Sequence, residues 1–151
     1  MLQVNDKAPL WEGVDQNDDR VSLGRLLEKG KKVVLYFYPK DSTPGCTAEA
    51  CSLRDGHSDL IKQGYTVVGV SPDSTASHRK FIEKQSLPFT LIADTDHSIA
   101  EAYGVWGLKK FMGREYMGIL RATFIINTEG IIEKVFENVD TKNHYQQIIN
   151  K

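Results

Sequence analysis

Cysteine is scarce in this chain: Cys46 and Cys51 are its two cysteines. So few thiols exclude a disulfide-stapled scaffold, and they fall short of the cysteine-rich ligand sets typical of structural zinc. Neither sign of charge prevails, with 19 Lys+Arg against 20 Asp+Glu and a net charge of -1. That balance lacks the basic excess of a nucleic-acid-binding surface. Long hydrophobic runs are missing as well. The longest, Val33-Val34-Leu35-Tyr36-Phe37-Tyr38, is far shorter than the ~20 residues a membrane-spanning helix needs. The opening Met1-Leu2-Gln3-Val4-Asn5-Asp6-Lys7 has no apolar stretch behind a basic start. No secretory signal is expected, and a cytoplasmic protein with no membrane partner is the expectation. Repeats, low-complexity tracts and linkers are also absent. The 151 residues suit a single domain over 1–151, large enough to fold without a metal or cross-link.

What is present is a succession of strand-like and helix-like segments. Lys7–Ser22 reads as irregular chain or a small hairpin around Asp15–Asp19. Ser22 is placed to cap a short helix carrying Leu23, Leu26 and Leu27, with Gly30 at its end. Val33–Tyr38, apolar throughout and rich in β-branched and aromatic residues, predicts a buried central strand stopped by Pro39. Cys46–Gln63 predicts a helix closed by Gly64 and weakened by Gly56. Then come a strand over Thr66–Val70, a helix over Ser74–Gln85, a strand at Leu91–Ala93 and a short helix over His97–Tyr103. A hairpin follows, Ala122–Asn127 with Ile131–Phe136, and a last helix from Thr141. The order predicts an α/β fold, a mixed sheet flanked by helices.

The informative stretch is Pro39-Lys40-Asp41-Ser42-Thr43-Pro44-Gly45-Cys46-Thr47-Ala48-Glu49-Ala50-Cys51, just past the C-terminal end of a buried strand. In open α/β sheets ligands bind at that edge. Cys46 falls in the first turn of the next helix, where unpaired N–H groups and the helix dipole favour a thiolate, the reactive form of cysteine. A small cysteine packed against the sheet is the alternative. Zinc is another, but His57 alone lies near to complete a ligand set. Two thiols five residues apart without a metal quorum read as a redox pair.

At this point the chain resembles a known family, the peroxiredoxin Q or bacterioferritin comigratory protein group of peroxiredoxins. Pro39, Thr43 and Cys46 match the P-x-x-x-T-x-x-C motif, and Cys51 stands at the group's resolving-cysteine spacing. Arg121, just before Ala122-Thr123-Phe124-Ile125-Ile126, matches the catalytic arginine. Gly104-Val105-Trp106-Gly107, Lys109-Lys110 and Tyr116-Met117-Gly118 match too, so the resemblance runs from about Val4 to the C-terminus. It implies a thioredoxin-like fold and no cofactor or metal. It implies a hydroperoxide substrate, a thioredoxin-type or glutaredoxin-type reductant, and a monomer. Cys46 would be the peroxidatic residue, Cys51 the resolving one, and Thr43, Arg121 and Pro39 the remaining catalytic positions.

The chemistry explains the grouping. A free thiol near its usual pKa of about 8.5 is ~3% ionised at pH 7, so complete ionisation gains at most ~30-fold, about 2 kcal/mol. Any further acceleration comes from stabilising the leaving oxygen and aligning the peroxide. Arg121 offers a planar fork of donors, and Thr43 a hydroxyl three residues before the thiol. Pro39 would shield the thiolate from water. Taken alone, Thr43 reads as a helix N-cap, Arg121 as a surface ion-pairer, and Glu49 as a surface charge or a partner orienting an arginine. Trp106, Phe111, Met112 and Met117 offer an apolar channel, but ordinary core or loop packing is the stronger reading. No histidine carries a motif.

The implied pairing has a geometric consequence. Five residues of regular helix rise about 7.5 Å, and with the lateral offset Cα atoms i and i+5 stand ~8.7 Å apart. A disulfide needs about 4.4–6.8 Å, so Thr47–Cys51 must unwind before the bond can form. A dithiol–disulfide oxidoreductase on the same fold is the nearest rival. It would carry C-x-x-C, whereas Thr43 holds the first of those positions, and a proline before the facing strand, where Leu120 and Arg121 stand. A non-enzymatic redox sensor or holdase is the rival from another class, separable by the rate at which Cys46 reacts with hydrogen peroxide.

Overall fold

Along Val33–Tyr38 successive side chains enter two different apolar layers. Val33, Leu35 and Phe37 pack with Val68, Val70, Phe124 and Ile126. Val34, Tyr36 and Tyr38 pack with Val67, Leu91 and Ile125. That division is the period-two geometry of a strand covered on both faces. The computed structural model describes residues 1–150. Its central sheet has five strands in the order β5-β4-β3-β8-β9, comprising β3 (Lys32–Phe37), β4 (Tyr65–Ser71), β5 (Thr90–Ala93), β8 (Ala122–Ile126) and β9 (Ile132–Phe136). The β3/β4 and β4/β5 pairs are parallel, and the β3/β8 and β8/β9 pairs antiparallel. The mixed sheet flanked by helices is thus the expected one.

One layer is closed by α1 (Leu23–Glu28) and α5 (Ser98–Ala102), through Leu23, Ile99 and Ala100. The other is closed by α2 (Pro44–Asp55), α3 (His57–Lys62), α4 (Thr75–Gln85) and α6 (His144–Ile149), through Ala50, Leu53, Leu60, Phe81 and Ile148. Among the described residues no helix is long and apolar enough to cross a membrane. The small hairpin ahead of α1 exists, as β1 (Glu12–Val14) with β2 (Arg20–Ser22), and the Ser22 side chain caps α1 by accepting from the Arg25 N–H.

Two expectations need correction. The helix expected over Cys46–Gln63 is broken at Gly56 into α2 and α3. The reason is packing: a Cβ on Gly56 would lie 2.1 Å from the Tyr145 ring, so α6 closes against bare backbone at the break. No element was anticipated between Tyr103 and Ala122, yet β6 (Trp106–Phe111) and β7 (Arg114–Ile119) form a two-stranded ribbon, turned at Met112-Gly113 with positive φ at both. Its residues lack the alternating apolar pattern that announces a half-buried strand, because most of the ribbon is exposed.

Candidate active site

Three chain segments meet at the C-terminal end of β3. The turn after β3 carries Pro39 and Thr43, the first turn of α2 carries Cys46, and the residue before β8 is Arg121. Antiparallel pairing sets Phe37 opposite Ala122, so the chain leaving β3 and the chain entering β8 are neighbours although Cys46 and Arg121 are 75 residues apart. Thr43 holds the N-cap position with extended backbone, and Pro44 opens the helix. Cys46 is 1% exposed, and Arg121 Nη2 donates to its Sγ at 3.3 Å. Burial works against the arginine's charge, but Glu49 and Cys46 outweigh it and hold the Arg121 pKa above its ordinary value. Gly45 lies against the guanidinium: a Cβ there would stand 3.4 Å from Nη2, an ordinary contact distance.

The N-cap reading of Thr43 is half right. Its side chain makes no capping hydrogen bond and donates instead to the Lys40 carbonyl at 2.8 Å. With its proton committed there, the hydroxyl oxygen can only accept, which suits the O–H of a hydroperoxide. Of the two readings of Glu49, the surface charge fails and the partner orienting an arginine holds. It is fully buried and accepts from Arg121 Nη1 at 2.5 Å, one helical turn below the thiol.

Beside Thr43 and Pro39 opens a groove of about 460 Å³, walled by Pro72, Trp106, Met117 and Ile119 with Lys40 and Lys109 at its edges. Burial, then the neighbouring Arg121, lower the Lys109 pKa, with Cys46 pulling the other way. Of the core-or-loop packing reading, the core half fails for three of the four candidate channel residues. Met117 is half exposed, and Phe111 and Met112 are 65% and 87% exposed on the ribbon. Trp106 is half-buried, its ring stacked on His97 with centroids 3.8 Å apart. Phe111 and Met112 do not line the groove, whereas Trp106 and Met117 do.

Cys51 is half-buried, and its Sγ lies 3.5 Å from Gln85 Oε1. Both thiols are free, and both belong to the unbroken helix α2. Two histidines without a sequence signal are built into polar networks. His78 sits among Asp41, Tyr38 and the Ile92 carbonyl. His144 sits among Thr123, Gln147 and Glu49.

The family model described as the AhpC/TSA family matches residues 4–135. The chain belongs to the AhpC/TSA family. It is 47% identical to peroxiredoxin Bcp of Bacillus subtilis over 98% of this chain and 93% of that one. It is 44% identical to peroxiredoxin Bcp of Escherichia coli over 99% and 94%. Among solved structures, a PrxQ variant from Xylella fastidiosa superposes with a TM-score of 0.90 at 28% identity, covering 98% of this chain and 93% of that one. The bacterioferritin comigratory protein of Xanthomonas campestris, described for its alkyl peroxide reduction activity in trapped intermediate and ligand complexes, gives 0.84 at 33% identity, covering 91% and 87%. Within the AhpC/TSA family these relatives place the chain in the peroxiredoxin Q/Bcp group, thiol-dependent peroxidases on a thioredoxin-like fold.

Proposed function

We propose that this chain is a single-domain, thioredoxin-dependent peroxidase of the atypical two-cysteine type, with Cys46 peroxidatic, Cys51 resolving, and Arg121, Thr43 and Pro39 completing the site. The observation that carries the reading is the guanidinium held 3.3 Å from a buried thiol in the first turn of a helix, next to an open groove. The Cys46 thiolate attacks one peroxide oxygen, the O–O bond breaks, and the other oxygen leaves as an alkoxide or hydroxide that takes up a proton. Arg121 places fixed donors where that charge appears, and Thr43 accepts from the peroxide O–H. Pro39 lines the groove beside Thr43 and is given the role of keeping water off the sulfur. The apolar wall of Trp106, Met117 and Ile119 suits organic hydroperoxides as well as hydrogen peroxide.

Cys46 then holds a sulfenic acid. Cys51 attacks it, water leaves, and an intramolecular disulfide results. A thioredoxin-type or glutaredoxin-type dithiol returns both residues to thiols. A resolving cysteine on the same chain lets a monomer complete the cycle.

Stopped-flow oxidation and steady-state turnover of two variants test the assignment. Cys46→Ser should consume no peroxide. Cys51→Ser should still be oxidised at Cys46 at the parent rate, but should stall as a sulfenic acid in the absence of an added thiol. Turnover by Cys46→Ser, or failure of Cys51→Ser to oxidise, overturns it.

A further inference from the structure

Glu49 is a fully buried carboxyl to which the peroxide step given above assigns no part. Its Oε1 accepts from Arg121 at 2.5 Å. Its Oε2 is buried with no hydrogen-bond partner and faces His144 Nε2 at 3.8 Å.

Hydrogen bonding settles what that histidine can offer. The Gln147 amide is oriented by two main-chain groups: Asp140 N donates to its Oε1 at 3.0 Å, and its Nε2 donates to the Asn138 carbonyl at 3.1 Å. Gln147 Oε1 is thus an acceptor, and His144 Nδ1, 2.7 Å away, carries the proton between them. Burial lowers the His144 pKa and favours the neutral ring, in which Nε2 is the acceptor for the Thr123 hydroxyl at 2.8 Å. His144 therefore has no donor for Glu49 Oε2, and the Tyr36 hydroxyl, also buried, makes no hydrogen bond to it. A bare buried carboxylate oxygen is costly, and a proton on it removes the charge.

The other groups facing Glu49 agree. Cys46 on its own helix competes for the same guanidinium. Tyr36 from β3 lies fully buried beside it, its own ionisation opposed by burial and then by Glu49. Lys109 from β6 acts on Arg121 and Cys46 rather than on Glu49. Burial outweighs Arg121 and raises the Glu49 pKa to about 7.

Glu49 also lies between the two cysteines, inside the segment that has to unwind before they can join. We propose that Glu49 is a positioning residue that carries a proton while α2 is helical and releases it as the Cys46–Cys51 bond forms, coupling a third proton to oxidation of the dithiol. The inference rests on the disulfide reading given under Proposed function. In the helical state the protonated carboxyl leaves the charge of Arg121 undivided for the Cys46 sulfur. On unwinding, Glu49 leaves Arg121, meets water and returns to an ordinary carboxylic acidity of about 4.3. The balance is two thiols and one carboxylic acid giving one disulfide, one carboxylate, three protons and two electrons. The hydroperoxide takes the electrons and two of the protons and departs as alcohol and water.

The sign follows from the raised pKa of the helical state. The proton on Glu49 favours the reduced helix fully below about pH 4.3, the ordinary carboxylate value, and that contribution is lost as pH rises through about 7. Between those limits the dithiol–disulfide equilibrium should shift tenfold more per pH unit in the wild type than in Glu49→Gln. For a two-electron couple this is ~30 mV per pH unit of extra slope in the midpoint potential.

Titration against a dithiol–disulfide redox buffer at several pH values between about 5 and 6.5 measures the slope. Infrared difference spectra of the wild type supply a second readout. The carboxylic acid C=O band should be present in the reduced protein, vanish on disulfide formation, and be missing from both states of Glu49→Gln. Equal slopes in the two proteins, or a band that does not change on oxidation, overturn the proposal and leave the disulfide reading standing. If thiol counting and mass measurement find no Cys46–Cys51 bond, both fall. Should Glu49→Gln fail to hold its helix, the wild-type infrared difference decides alone.

Discussion

If Cys46 and Cys51 join as proposed, oxidation should make the amides of Thr47–Cys51 exchange with solvent roughly a thousandfold faster. α2 runs unbroken from Pro44 to Asp55, and five residues of such a helix hold the two Cα atoms ~8.7 Å apart. The bond needs at most about 6.8 Å, so this part of the helix opens. Opening gives up about four main-chain hydrogen bonds at ~1 kcal/mol net each, or ~4 kcal/mol, and a tenfold change corresponds to about 1.4 kcal/mol. Closer to Asp55 the helix is pinned from outside. Tyr145 N donates to Ser52 Oγ at 3.1 Å, and Arg54 Nη1 donates to the Gln85 carbonyl at 2.7 Å. The acceleration should therefore be largest over Thr47–Cys51 and fade towards Asp55. Amide hydrogen exchange read by mass spectrometry on the two redox forms measures it. Equal protection in both forms, or a disulfide form with the helix intact, would refute the reasoning.

Arg121→Lys keeps a charge but loses the planar fork that reaches Cys46 and Glu49 together, so Cys46 oxidation should slow at least ~10-fold in stopped flow; near wild-type kinetics would reduce the arginine to an electrostatic bystander. Gly56→Ala places a methyl 2.1 Å from the Tyr145 ring and should destabilise by about 2 kcal/mol, lowering Tm by ~6 °C in a thermal scan.

The central strands were legible because their residues are buried on both faces, so the run Val33–Phe37 needs no alternation to be recognised. Cys46, Thr43 and Arg121 were legible through a motif, since spacing alone does not bring residue 121 to residue 46. The register Phe37↔Ala122 does that, and register is a property of pairing rather than of either strand. The break at Gly56 was half visible: glycine weakens a helix, but only the Tyr145 ring packed on it explains why the chain parts there. His144 was invisible. Its meaning lies in Thr123, Gln147 and Glu49, three residues from three different elements or their flanks, and no local pattern announces such a meeting. The ribbon over 106–119 escaped because an exposed strand pair has no apolar face to write into the sequence.

The pairing of Phe37 with Ala122 also bears on which length changes this scaffold tolerates. A residue added at the Met112-Gly113 turn lengthens a ribbon that ends before the β8 register begins, and leaves Arg121 where it stands. A residue added between Arg121 and Ala122 pushes the guanidinium ~3.4 Å along the strand and turns it to the opposite face of the sheet, away from the sulfur. Insertions and deletions should therefore be frequent in one stretch and forbidden in the other, although the two lie within ten residues of each other.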